Sequence, residues 1–163
     1  MLRQWKAISN CSETDLERLA AEIAKHLGTK DRIILEGPMG VGKSTFARLL
    51  LQAIGIKQSS EGSPTFAIVH EYPGVAHIDF YRLKNEGEIE DAGISSYYWE
   101  REILVISEWL SMHPNFFKSV LTACSIDKAV CWVVNLAFST SQDEDRRNIN
   151  IEVTRRCPSR GES

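Results

Sequence analysis

A glycine-rich run at residues 37–44 carries the clearest chemistry in this sequence. It reads Gly37-Pro38-Met39-Gly40-Val41-Gly42-Lys43-Ser44 and matches the phosphate-binding pattern G-x-x-x-x-G-K-[ST] in full. Glycines let the backbone curl so that several N–H groups point at one phosphate, and the start of a following helix adds partial positive charge. Lys43 is expected to reach the β and γ phosphates, and the Ser44 hydroxyl to coordinate Mg²⁺. The run therefore predicts a site for a nucleoside polyphosphate with Mg²⁺.

The other residues of this loop contribute mainly backbone N–H groups, and Thr45 can add an N–H or a hydroxyl to the α phosphate. The predicted nucleotide-binding residues of the loop are Gly37, Met39, Gly40, Val41, Gly42, Lys43, Ser44 and Thr45. A GTPase normally carries an Asn-Lys-x-Asp guanine reader, and the closest run, Ile126-Asp127-Lys128-Ala129, is not one. The sequence therefore favours ATP over GTP.

Two carboxylates stand at the ends of apolar runs typical of strands. Asp79 ends Val75-Ala76-His77-Ile78-Asp79, and Glu108 ends Leu104-Val105-Ile106-Ser107-Glu108. Such residues can share the Mg²⁺ or orient the attacking water, although a strand-end aspartate equally serves as a turn or cap residue. Spacing alone leaves open which carboxylate does which.

Three further features can be explained by ordinary structural roles, and the first of them also has a functional interpretation. Ser63-Pro64-Thr65 follows the predicted phosphate-loop helix, where many NTPases place a hydroxyl near the γ phosphate, but generic turn chemistry explains it equally well. A lone tryptophan such as Trp109 is usually part of the core or of a partly buried surface. The histidines, including His70 and His77, show no metal-binding spacing and are assigned to structure or surface.

The elements that position these residues follow from hydrophobic periodicity. Apolar residues at helical spacing predict a helix over Thr14–Leu27, with Thr14 and Glu17 as a capping box and Gly28 as a left-handed C-terminal cap. A strand at 32–36 and a helix at 44–54 flank the phosphate loop. Further strands are predicted at 66–72, 75–80, 103–106 and 130–138, with an acidic helix at 86–91 and an outer strand through 149–153. This order predicts an α/β, three-layer P-loop NTPase-like fold with a mixed, mainly parallel central sheet flanked by helices.

Length and composition set the broad class. The 163 residues are expected to form one domain over residues 1–153, with a mobile tail at 154–163. The sequence shows no apolar stretch of roughly eighteen residues, and its four cysteines have no zinc-ligand spacing, so a cytoplasmic protein with reduced thiols is expected. A net charge of −3 argues against gripping a nucleic acid backbone directly.

Five ordered segments together resemble the signatures of the TsaE (YjeE) family, over roughly residues 10 to 153. They are Gly37 to Thr45, Ser63-Pro64-Thr65-Phe66, Glu71-Tyr72, His77-Ile78-Asp79-Phe80-Tyr81-Arg82-Leu83 and Glu108-Trp109. The sequence departs from the family at Pro38-Met39, Ser44 and Phe80, where an acidic residue with a leucine, a threonine and a leucine are common. None of these departures removes a required group, because Ser44 keeps the hydroxyl.

The resemblance implies an ATPase that supports N6-threonylcarbamoyladenosine formation beside the tRNA anticodon. The family acts with the TsaD and TsaB pair, which transfers the group, so tRNA is involved only indirectly. By the same resemblance Glu108 is the Mg²⁺-linked glutamate, Asp79 the Walker-B-like aspartate and Thr65 the switch hydroxyl. Trp109 would lie beside the site, and Thr14 and Arg147 would contact the nucleotide.

Two other functions stay open on the sequence. One is a small-molecule P-loop kinase, although the arginines of a closing lid are not obvious after Glu108. The other is a non-catalytic adaptor in which ATP only sets a docking shape.

Overall fold

A seven-stranded sheet with helices on both faces forms the part of the chain described by this computed structural model, residues 1–57, 68–140 and 142–154. The strands are β1 (Arg3–Cys11), β2 (Arg32–Glu36), β3 (Val69–Tyr72), β4 (Val75–Asp79), β5 (Leu104–Glu108), β6 (Cys131–Phe138) and β7 (Arg147–Val153). The helices are α1 (Glu13–Ala24), α2 (Lys43–Ala53), α3 (Glu86–Asp91), α4 (Ser95–Trp99) and α5 (Pro114–Ile126), with a 3-10 helix at Leu110–Met112.

The strand order across the sheet is β1-β7-β6-β2-β5-β4-β3. The four central strands, β6, β2, β5 and β4, run parallel to one another, while the pairs at both ends are antiparallel. The predicted mixed α/β sheet flanked by helices is therefore confirmed, with its parallel part confined to the centre.

Alternation along β2 divides the core between the two faces of the sheet. Ile33 and Leu35 join an apolar cluster with α1 and α2, whereas Ile34 joins a second cluster with α3, α4 and α5. A strand covered on both faces buries every residue, and all of β2 is buried. This three-layer packing fixes the central strands and so the loops at their ends.

The ends of α1 differ from the prediction. Ser12, in extended backbone, accepts a hydrogen bond from the Asp15 N–H, and the Asp15 carboxylate accepts one from the Ser12 N–H, so the capping box is Ser12 and Asp15 and not Thr14 and Glu17. The helix begins earlier because the chain leaves β1 at Cys11 in an extended conformation.

The predicted cap at Gly28 is also wrong, since α1 ends at Ala24 with the right-handed residue Lys25 as its cap. The Gly28 N–H donates to the Asp31 carboxylate, whose other oxygen accepts from the N–H of Val130. Asp31 therefore ties the loop after α1 to the residue that precedes β6.

The strand through Ile149 to Val153 is not an outer strand. β7 pairs with β6 on one side and with β1 on the other, and β1 is the edge. Sequence periodicity did not reveal β1 because its register shifts between Gln4 and Lys6 and again between Ile8 and Cys11, which breaks the alternation of inward and outward residues.

The other predicted elements largely match within the described residues, which leave out positions 66 and 67 of the strand predicted at 66–72. The helix α4 was not predicted, and neither was α5. Two of its residues are fully buried, Val120 and Cys124, so its apolar stripe is narrow. Thr154 directly follows β7 and is bound to β6, because its hydroxyl accepts from the Cys131 N–H and its own N–H donates to the Cys131 carbonyl. Residues 155–163 of the predicted tail lie outside the described residues.

Candidate functional site

The carboxyl ends of three central strands gather the predicted site at one edge of the sheet. The glycine-rich loop follows β2, Asp79 ends β4, and Glu108 ends β5. Asp79 and Glu108 are register partners across the parallel β4–β5 pair, which puts the two carboxylates side by side. Open α/β sheets bind their ligands at this edge.

The loop backbone adopts conformations that only glycine takes easily. Gly37, Gly40 and Gly42 have φ of 145°, 78° and 110°. Gly37 also runs close to β6, where a Cβ would lie 2.4 Å from the Leu136 carbonyl oxygen. α2 begins immediately after Gly42, which has no side chain to occupy the space at the helix N-terminus. A curled backbone that ends on a helix N-terminus is an anion-binding arrangement.

Lys43 extends back along this loop. Its ammonium donates to the carbonyl oxygens of Gly37 at 2.7 Å and Pro38 at 2.9 Å, and it lies 3.9 Å from the centroid of the Trp109 ring. Burial lowers the pKa of Lys43, while the charges of Glu108, Glu36 and Asp79 act in the opposite direction. The cation is thus held on the loop among carboxylates.

Glu108 is the most fully enclosed carboxylate of the site, and only 3% of the residue is exposed. Its Oε1 accepts from the Ser44 hydroxyl at 2.9 Å, and its Oε2 lies 2.6 Å from Nε2 of His77. Ser44 comes from the first turn of α2 and His77 from the middle of β4. The carboxylate is therefore held from a helix and from a strand at once.

Asp79 lines the same cleft and is less enclosed. Burial raises its pKa above the ordinary aspartate value, the N–H of Tyr81 lowers it by donating to Oδ1 at 2.9 Å, and the charge of Glu108 raises it. A carboxylate with a raised pKa accepts a proton more readily than an ordinary one. Asp79 is therefore suited to orienting or deprotonating a water molecule.

Trp109 covers one side of the cleft in a strained backbone conformation. Its φ is 63°, and its ring lies 5.0 Å from that of Tyr81. The following turn is fixed by Glu36, whose two carboxylate oxygens accept from the N–H and the hydroxyl of Ser111 at 2.9 and 2.7 Å. A left-handed tryptophan persists only where its surroundings determine it, as here.

Together these groups line an open cleft of about 290 Å³. The described residues that line it are Met39, Gly40, Gly42, Lys43, Ser44, Thr45, Asp79, Glu108 and Trp109. The structure thus brings most of the predicted site residues together. Gly37 and Val41 belong to the loop but are not among the lining residues.

Arg147, at the start of β7, contacts the loop's backbone. Its Nε donates to the Val41 carbonyl oxygen at 2.8 Å, and its guanidinium lies 4.8 Å from the centroid of the Phe138 ring. Thr14 is an exposed residue in the first turn of α1 and is not part of the described cleft lining. Nucleotide contacts by these two residues stay predictions, as does the role of Thr65, which lies outside the described residues with the rest of Ser63 to Phe66.

Sequence reasoning missed the residues that support the site. Residues two apart on a strand share a face, so His77 and Asp79 were a recognisable pair. Glu36 directly precedes the loop, but its contact with Ser111 spans 75 positions and left no local pattern. Long-range partners of this kind follow from strand order, which the sequence alone did not supply.

The donor set fits Mg²⁺. Ser44, Glu108 and Asp79 present oxygen atoms to one cleft, and Mg²⁺ is usually held by one or two carboxylates together with substrate phosphates. Within residues 1–57, 68–140 and 142–154 no group of three or more His, Cys, Asp or Glu side chains could hold a metal by itself. A metal in this cleft would thus depend on the phosphates for its remaining ligands.

Comparisons with known proteins identify the family that this chain resembles. A family model described as "Threonylcarbamoyl adenosine biosynthesis protein TsaE" matches residues 10–148. A curated relative from Aquifex aeolicus, named "tRNA threonylcarbamoyladenosine biosynthesis protein TsaE", is 40% identical over 96 residues, which are 55% of this chain and 72% of the relative. A relative of the same name from Bacillus subtilis is 33% identical over 110 residues, 65% of either chain. A third, from Rickettsia conorii, is 28% identical over 81% of this chain and 79% of its own.

A solved structure shares the fold. The crystal structure of Bacillus subtilis YdiB superposes with a TM-score of 0.62 over 94% of this chain and 88% of that one, at 20% sequence identity. In the part of the sequence that the structure describes, no helix is both long and apolar enough to cross a membrane.

Proposed function

This chain belongs to the TsaE family, and on that premise we propose that it binds Mg-ATP in the cleft beside the glycine-rich loop and hydrolyses it in support of N6-threonylcarbamoyladenosine formation in tRNA. The observation that carries the proposal is the contact between Ser44 and Glu108. It unites the loop hydroxyl that binds Mg²⁺ in P-loop proteins with a buried carboxylate from a different strand.

The loop and Lys43 bind the polyphosphate. Backbone N–H groups of Gly40 to Thr45 surround the phosphates, and Lys43 supplies the positive charge for the β and γ groups. The ring of Trp109 covers the ammonium and limits the access of water to it. These groups hold the γ phosphate in place for an in-line attack.

Ser44 and Glu108 would hold the metal, and Asp79 stands beside them. Bound Mg²⁺ would neutralise negative charge on the phosphate oxygens as the bond to the leaving group breaks. Asp79, whose pKa is raised by burial, orients the attacking water and accepts its proton. This divides the labour between the two carboxylates that spacing left open.

The role in tRNA modification follows from the relatives, which are named as tRNA threonylcarbamoyladenosine biosynthesis proteins. We assign the TsaD and TsaB pair as partners and the cytoplasm as the location. The net charge of −3 supports an indirect role toward tRNA, since phosphate backbones bind proteins mainly through basic groups.

The test is the rate of Mg-ATP hydrolysis by the purified chain, alone and with the TsaD and TsaB pair, with GTP as the control nucleotide. We expect a slow rate alone and a stimulation by the pair that is specific to ATP. A Glu108→Ala variant should bind ATP as well as the wild-type chain when Mg²⁺ is absent, and it should lose the stimulated turnover. ATP binding without any hydrolysis would indicate an adaptor, and metabolite-dependent ADP release without the protein pair would indicate a kinase.

A further inference from the structure

His77 contacts the site through a carboxylate and does not line the cleft among the described residues. Its Nε2 lies 2.6 Å from Oε2 of Glu108, and the two side chains are 14% and 4% exposed. The hydrogen bond is short, and both groups are enclosed and come from neighbouring strands. It is therefore a fixed part of the fold and not a contact between mobile surface side chains.

The pleat of the sheet puts His77 in this place. Ala76 and Ile78 point into the apolar cluster of the α3–α5 face, so His77 points to the opposite face. Its register partner on β5 is Ile106, and the next residue of β5 on the same face is Glu108. The ring therefore reaches one diagonal step along the neighbouring strand, a distance that long or cyclic side chains span.

The carboxylate of Glu108 receives one donor on each oxygen. The Ser44 hydroxyl donates to Oε1 and the His77 ring to Oε2. In the proposed function the Ser44 hydroxyl binds Mg²⁺. The hydrogen bond from His77 is then the contact that still holds Glu108 in place. Carboxylates that bind metals are commonly fixed by such partners.

We propose that His77 is a positioning residue for Mg²⁺ binding, which acts by donating its Nε2–H to Glu108 and so fixing the direction of the other carboxylate oxygen. This rests on the proposed function, because it requires that Glu108 be a metal ligand. A neutral imidazole with its hydrogen on Nε2 and an imidazolium both donate this bond, so the role does not depend on the charge of the ring.

Three variants separate this role from a structural one. His77→Leu removes the donor at similar volume, and His77→Gln keeps an N–H donor at a similar reach. His70→Leu is the matched control, because His70 is the register partner of His77 on β3, with ring centroids 6.1 Å apart, and its loss leaves the donor to Glu108 in place. A circular dichroism melt checks folding, and His77→Asn, whose shorter amide cannot reach Glu108, replaces His77→Leu if that variant does not fold.

The measurement is the affinity of each variant for a non-hydrolysable ATP analogue by calorimetry, with Mg²⁺ and again with EDTA. Mg²⁺ raises the affinity for the analogue in the wild-type chain, and we expect this increase to be about 10- to 100-fold smaller in His77→Leu. That is the range typical for partners of metal ligands. The affinity of His77→Leu in EDTA should be unchanged, and His77→Gln and His70→Leu should keep the gain. A structural role would instead lower both affinities together.

A second readout needs no metal or nucleotide. The ring ¹⁵N signals of His77 in the free protein should shift in Glu108→Gln, while those of His70 stay in place. The proposal is overturned if Mg²⁺ raises the affinity of His77→Leu as much as that of the wild-type chain, or if His77→Gln loses as much of this increase as His77→Leu. It is also overturned if the ¹⁵N signals of His77 do not shift in Glu108→Gln. No Mg²⁺ gain in the wild-type chain would instead refute the proposed function, and the proposal for His77 with it.

Discussion

Gly37 shows at the level of one residue how tightly the phosphate loop is built. Its φ of 145° is unfavourable for any side chain, and a Cβ there would meet the backbone of β6. Gly40 has a positive φ of 78° too, but a Cβ added to it meets no described atom within 4 Å. The two glycines therefore separate the cost of an unfavourable φ from that of a backbone clash.

We expect Gly37→Ala to lower the free energy of unfolding by about 3 kcal/mol or more, since the clash with Leu136 adds to the backbone strain. Gly40→Ala should cost only about 1–2 kcal/mol, the cost of the left-handed conformation. Urea denaturation followed by circular dichroism measures both. Equal losses in the two variants would contradict the close approach of Gly37 to β6.

Lys43 is the residue whose loss should affect phosphate binding most directly. Because a hydrogen bond to a charged group contributes about 1.5–3 kcal/mol, Lys43→Ala should weaken ATP binding roughly 10- to 150-fold in calorimetry. Lys30→Ala is the control, since it removes the same charge from the residue that precedes Asp31 and β2, at the other end of that strand from the loop. An unchanged affinity in Lys43→Ala would contradict its role.

At the scale of elements, the start of α1 depends on a reciprocal pair of hydrogen bonds. Ser12 and Asp15 satisfy each other's backbone N–H groups, and α1 then packs Leu19 and Ile23 against the core that also holds α2. The pKa of the Asp15 carboxyl is lowered, first by the bond from the Ser12 N–H and then by the bond from the Ser12 hydroxyl. The stability that this cap gives to the fold should therefore depend on pH.

Ser12→Ala should lower the free energy of unfolding by about 1 kcal/mol.

Asp15→Asn should lower the melting temperature at pH 7, because a carboxyl with a depressed folded pKa stabilises the fold above its unfolded pKa. That difference should shrink as the pH falls below 3.8, the ordinary value, toward the lower folded pKa. Glu13→Gln is the control, an acidic residue of the same helical turn outside the capping box. A difference that persists unchanged in acid would refute the assignment.

The helices and strands also differ in how well the sequence predicts their ends. β2, α2 and α3 are uniform in periodicity and end close to where predicted. α1 starts earlier than predicted because its cap, Ser12, directly follows the last residue of β1. The sequence did not predict β1, because its two register shifts interrupt the alternation of inward and outward residues. Where one element determines the end of another, local pattern is insufficient.

For the whole molecule, ligand binding at the edge of the sheet should stabilise every layer. The cleft draws its groups from the loop that follows β2 and from α2, β4 and β5, so unfolding any of these elements destroys the site. A non-hydrolysable ATP analogue with Mg²⁺ at about 100 times its dissociation constant should add roughly 2.7 kcal/mol to the free energy of unfolding.

In a chain of this size that gain should raise the melting temperature by roughly 5–10 °C in a calorimetric scan. EDTA should reduce the shift, because Ser44 and Glu108 would then lack the ion they are proposed to bind. GTP at the same concentration should produce a smaller shift. An equal shift with and without Mg²⁺ would count against a metal in this cleft.

The sequence by itself predicted the phosphate-binding chemistry of the glycine-rich loop, because such chemistry is local: Gly37 to Ser44 need only a strand before them and a helix after them. It also singled out Asp79 and Glu108 as candidates, because each ends a short and strongly apolar strand. Only the tertiary structure decided that these carboxylates lie side by side, that His77 and Ser44 hold Glu108, and that Glu36 fixes the turn of Trp109. Each of these depends on which strands are neighbours, and strand order is set by the packing of the whole sheet and not by any local run of residues.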